Sequence, residues 1–133
     1  MIELAIPLTE RPLADQYGGD PLFFGGFLRA AQRLVLDARP ARDYGGGGVV
    51  VLRADAGDDD TADLEGLWLK SFRIGPHEHF EKEVALAHFS LPSVGVRLAV
   101  DCFAPHTAVR ITVENRDVRA HFVRLRLYGR ADP

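Results

Sequence analysis

Val94-Gly95-Val96-Arg97-Leu98-Ala99-Val100-Asp101-Cys102 places an apolar residue at every second position, and two later stretches repeat the pattern. In Val109-Arg110-Ile111-Thr112-Val113-Glu114 and in Val123-Arg124-Leu125-Arg126-Leu127-Tyr128, aliphatic residues alternate with polar ones. A strand sends successive side chains to opposite faces, so each stretch reads as a half-buried strand with an apolar inner face. Asn115-Arg116-Asp117 lies between the last two and has the chemistry of a tight reversal. The three runs therefore predict an antiparallel meander, with Val96, Leu98, Val100, Val109, Ile111, Val113, Val123, Leu125 and Leu127 in the core.

Upstream, Ile2, Leu4, Ile6 and Leu8 alternate with Glu3, Ala5 and Pro7. Proline donates no hydrogen bond, which puts this opening strand at a sheet edge or ends it there. Residues 9–27 read as an irregular segment, because Pro12, Gly18, Gly19, Gly25 and Gly26 oppose a helix or a central strand. Gln32–Ala38 fits both helical and strand spacing, and the strand is preferred between strand neighbours and the closing Arg39-Pro40. Tyr44 and four glycines form a turn, Val49–Arg53 a strand, and residues 55–63 an acidic loop. Leu64–Ile74 and Val84–Leu91 are apolar on both faces, so each is expected as a strand covered on both sides. Together these runs predict an all-β chain, an antiparallel β-sandwich or jelly-roll-like barrel of about eight strands. One domain is expected to span residues 1–133.

Composition narrows the function classes. With 133 residues, 47% of them hydrophobic, the chain can bury a core without a disulfide or a structural metal. A net charge of -3 offers no basic field for nucleic acid. No apolar run approaches the ~20 residues of a membrane helix. Met1-Ile2-Glu3-Leu4 lacks the basic start of a signal peptide, and Cys102 is a single cysteine on an apolar face. A cytoplasmic location, or a virion if the protein is viral, is the expectation.

His77-Glu78-His79 followed by Glu83 resembles the first metal motif of cupins, in which two imidazoles and a carboxylate share a divalent metal. The second motif of that family has only His106 to draw on, without the usual glycine and asparagine around it. Following Gly75-Pro76, these histidines read instead as a solvated hairpin loop, with no cofactor expected. Asp55, Asp58, Asp59, Asp60 and Asp63 lack calcium-loop spacing. Trp68, Tyr44 and Tyr128 are the rings a carbohydrate-binding sandwich would use. Arg97, Arg110, Arg124 and Arg126 share the polar face of the expected meander. That face is either a set of cross-strand ion pairs or a contact surface.

The irregular start, the glycine-rich loops and the closing segment from Val109 to Gly129 are similar in style to small virion proteins of tailed phages. The resemblance implies a capsid decoration or other structural subunit, non-enzymatic, acting through contacts with itself or a lattice. It transfers no functional residue. Tyr17, Phe23, Phe24 and Phe27 concentrate apolar surface in the segment from 9 to 27, which makes them, with the four arginines, the expected interface.

Overall fold

The alternating runs do form strands, but they pair in two separate sheets. The computed structural model describes residues 2–10, 22–40, 49–55, 64–80, 82–89, 96–99 and 107–129. One sheet runs in the order β1 (Ile2–Pro7), β4 (Gln32–Ala38), β10 (Val109–Asn115), β6 (Leu67–Ile74), β7 (His77–Glu78). A short β8 (Val84–Ala85) also pairs with β6. The other sheet runs β2 (Thr9–Glu10), β3 (Leu22–Leu28), β11 (His121–Gly129), β5 (Val49–Asp55), β9 (Val96–Ala99). The fold is an all-β sandwich, and nothing in its strand order calls for a jelly roll. It is antiparallel except where β1 runs parallel to β4.

The expected meander does not exist: β10 lies at the centre of one sheet, β11 at the centre of the other, and β9 borders β5. Asn115-Arg116-Asp117 carries the chain between sheets and does not fold a hairpin. The faces within each run are nevertheless as read. Val109, Ile111 and Val113 meet Leu34, Leu36, Leu69 and Phe72 on the inner side of the first sheet, and Val123, Leu125 and Leu127 lie inside the second. Each fully buried leucine contributes roughly 1.5–3 kcal/mol relative to exposure. Val100 lies outside the described residues, and the side chains of β9 with it.

Three further expectations change. The segment from 9 to 27 holds β2 and β3, and residues 11–21, with Tyr17, lie outside the described residues. Glycines do not break β3, because each is covered by the ring two residues earlier. A Cβ on Gly25 would sit 2.9 Å from the Phe23 ring on the outer side, and one on Gly26 would sit 3.3 Å from the Phe24 ring on the inner side. Such aromatic cover compensates glycine within a strand. β6 is not apolar on both faces. Thr112 pairs with Ser71 and Val113 with Leu69, so Lys70 is the extra residue of a β-bulge. The bulge resets the alternation, turning Lys70 and Ser71 outward while Leu67, Leu69, Phe72 and Ile74 point inward. Val84–Leu91 is a two-residue strand followed by a 3-10 helix, Leu86–Phe89, that touches β5 and β6 from opposite sheets. Phe80 stands edge-on to both Phe72 and Phe89, at 6.4 and 5.8 Å between ring centroids. Pro7 ends an edge strand, as its missing N–H requires.

Candidate protein-binding site

The connection from β10 to β11 is an exposed segment held in place by side-chain hydrogen bonds. It begins with Asn115, whose side chain is fully buried. Its amide nitrogen donates to the carbonyls of Leu28 at 2.9 Å and Arg119 at 2.8 Å, and its amide oxygen accepts from the Asp117 N–H at 2.9 Å. One residue thus ties the loop to the other sheet and folds it into an Asx turn. Asp117 continues the pattern. Its carboxylate accepts from the Val118 N–H at 2.6 Å, meets His121 Nε2 at 2.7 Å and reaches the Arg119 guanidinium at 3.4 Å. The His121 bond, the Val118 N–H and Arg119 hold the Asp117 carboxyl below its ordinary value. From the neighbouring turn, the Gly66 carbonyl accepts the Arg116 N–H at 2.7 Å. Gly66 has φ of +82°, and a Cβ there would lie 2.8 Å from that of Asp117.

This wiring presents Val118, 90% exposed, and the exposed Arg116 and Arg119. Val118 is an apolar side chain held in water by a rigid backbone. At the start of β11, Phe122 lies opposite Phe27, which is 69% exposed, and the two rings meet edge-on at 5.4 Å. His121 pairs with Leu28, so the aromatic pair and the loop share one end of the sandwich. Exposed Arg29 follows β3 at the same end.

Beneath the loop sits Glu114, only 3% exposed. It takes bonds from Arg33 Nε at 2.6 Å and Arg116 at 2.7 Å, with Lys70 at 3.9 Å. Burial pushes its carboxyl pKa up, but hydrogen bonds from Arg116 and Arg33 and the nearby cations outweigh this, and the net direction is down. Arg116 also reaches Glu83 at 2.7 Å and covers Trp68, 5.1 Å from the ring centroid. Trp68 is therefore capped on one face by an arginine, and Glu83 is engaged by Arg116 and by Lys70 at 3.5 Å.

The remaining sequence candidates disperse. His77 is exposed, whereas His79 turns to the Phe72 ring at 5.4 Å, and burial lowers its pKa. Among the described residues no group of three metal-ligating side chains exists, so His77, His79 and Glu83 are not brought together. Phe24 points into the core, while Phe23 and Phe27 face outward. The four arginines do not share a face, because their strands belong to two sheets. Arg110 lies on the outer side of the first sheet, bonded to Asp37 at 2.7 Å. Arg124 and Arg126 lie on the outer side of the second and grip Asp55 at 2.7 and 2.6 Å. Arg97 is in β9, whose side chains are not described, as is that of Tyr128; Tyr44 lies outside the described residues. The loop itself was visible only as a turn: Asn115-Arg116-Asp117 carried the signal, read as a hairpin.

No protein-family model and no curated protein sequence matches the chain. Its fold is similar to that of the solved Aeromonas hydrophila protein PliG, a periplasmic inhibitor of g-type lysozyme. The likeness has a TM-score of 0.51 at 9% identity and covers 96% of each chain. At that identity it is a likeness of fold. It overturns the assignment as a capsid-associated or decoration subunit, since the solved fold shared over nearly the whole length is that of a lysozyme inhibitor. Among the described residues no helix is long and apolar enough to cross a membrane.

Proposed function

We propose that the protein is a non-catalytic inhibitor that binds another protein, with a lysozyme of the g-type as the first target to test. The single observation that carries this reading is the loop from Asn115 to His121. Its shape is set before any partner arrives, by bonds from Asn115, Asp117, His121 and the Gly66 carbonyl. A pre-shaped loop loses little conformational entropy on binding, which favours affinity. Its chemistry also fits a glycan-cleaving enzyme, whose cleft carries paired carboxylates. Val118 would enter the cleft as the apolar tip, with Arg119 meeting acidic groups and the Phe27–Phe122 pair seated on the rim. On this reading the protein works where a lysozyme can reach it, outside the cytoplasm.

The experiment is direct. The purified protein is added to a g-type lysozyme digesting peptidoglycan and, separately, to lysozymes of other types. Lysis is expected to stop at an equimolar ratio for the g-type enzyme, and Val118→Asp is expected to restore it. If no lysozyme is slowed or bound, the reading fails.

A further inference from the structure

On the outer side of the six-stranded sheet lies a concavity of about 480 Å³, within the size range of small-ligand sites. It is built in rows across β4, β10 and β6. The middle row is Val35, Thr112 and Ser71, which face one another in register. On one side stands the row Asp37, Arg110 and Arg73. On the other, Arg33 and the bulged Lys70 line the cavity. The β-bulge is what turns Lys70 and Ser71 to the same face; a regular β6 would send one of them into the core.

Four cations line the cavity, Arg33, Lys70, Arg73 and Arg110. Arg33 is engaged by Glu114 and Glu3, and Lys70 by Glu83 and Glu114. Arg110 and Arg73 are directly opposed across an antiparallel pair, an arrangement that destabilises a sheet. Asp37 answers Arg110, but Arg73 has no ion pair among the described residues. Glu78 is opposite Arg73 in register, yet its oxygens are taken by the Ser71 hydroxyl and by the Phe72 and Phe80 N–H groups. The fold thus keeps two facing arginines beside the Thr112 hydroxyl, while the Ser71 hydroxyl is given to Glu78.

We infer that this concavity binds a small polyhydroxylated oxyanion, a uronic acid or a sugar phosphate. The oxyanion sits over Thr112 against Arg73, with Lys70 at its edge, and relieves the repulsion between Arg73 and Arg110. Glu3 and Asp37 accept from the sugar hydroxyls at the rim. The site needs no lysozyme, and it shares Arg33 and Lys70 with the Glu114 network beneath the loop.

Amide chemical shifts of the full chain test this, in titrations with glucuronate, glucose 6-phosphate, neutral glucose and inorganic phosphate at fixed ionic strength. The two sugar anions are expected to shift the amides of Ser71, Arg73 and Thr112 saturably. They should bind about tenfold more tightly than glucose, as one charge-assisted contact is worth, and about tenfold more tightly than inorganic phosphate, which has no sugar hydroxyls for Glu3 and Asp37. Arg73→Ala, at an exposed position, should weaken them by a similar factor, and Lys70→Met should do so too, with its own amide shifts confined to the neighbourhood of Glu83 and Glu114. Equal binding of glucose, equal binding of inorganic phosphate, absence of any shift, or an unchanged affinity in both variants would each overturn the assignment.

Discussion

Glu114 and Asp117 stand three residues apart and gather the same kinds of partner, yet they organise the molecule on different scales. Glu114 is buried and draws Arg33 from β4, Lys70 from β6 and Arg116 from the loop onto one carboxylate. Those partners are distant in sequence, so its bonds hold strands together. Asp117 is part-exposed, and its side-chain partners, Val118, Arg119 and His121, all lie within four residues. Its bonds give one loop a shape and hold no strands together. A carboxylate stabilises a fold when its partners come from separate elements, and sculpts a surface when they come from its own loop.

The largest effect should come from the buried partner. Glu114→Ala leaves Arg33 and Arg116 without their shared acceptor. Hydrogen bonds to charged groups run to about 1.5–3 kcal/mol each, but these cations are partly exposed and can turn to water, so roughly 2 kcal/mol is expected in urea unfolding. Gly66→Ala attacks the loop from outside. It forces a side chain into a left-handed backbone and against Asp117, and should cost about 1–2 kcal/mol while weakening inhibition. Acid comes next. Both carboxyls titrate below their ordinary values in the folded chain, so their stabilisation is whole above the ordinary carboxylate range and is lost as pH falls through the lowered folded values. The urea midpoint should therefore drop in acid, and less steeply in Glu114→Gln; an identical slope in that variant would remove Glu114 from the account. The smallest change in stability belongs to Asp117→Ala, which gives up the acid-sensitive share of a part-exposed carboxylate and should lower the thermal midpoint less than Glu114→Ala does.

Sequence periodicity reached as far as local forces do. Val109, Ile111, Val113, Val123, Leu125 and Leu127 were legible as inward-facing because a period of two needs no knowledge of the partner strand. Pro7 was legible as an edge because it lacks a donor. Which strands pair was not legible, since register depends on contacts between residues far apart in the chain. The same distance hid the role of Lys70: a bulge depends on the partner strand, and in sequence it only looks like broken alternation. The Phe-Phe-Gly-Gly run misled because glycine's cost was visible and the ring lying over it was not. For the site, Asn115 and Asp117 announced a turn, but only the contact with Leu28 shows that the turn joins two sheets.

The central claim is that the loop inhibits while the buried network beneath it merely supports. One measurement separates them: inhibition of a g-type lysozyme on peptidoglycan by the native chain, Asp117→Ala and Glu114→Ala, each below its unfolding midpoint. Asp117→Ala is expected to lose about tenfold or more in potency despite the smaller loss of stability, as a hot-spot loop would. Glu114→Ala is expected to inhibit as the native chain does despite its lower stability. Full potency in Asp117→Ala, with the loss appearing in Glu114→Ala instead, would contradict the account.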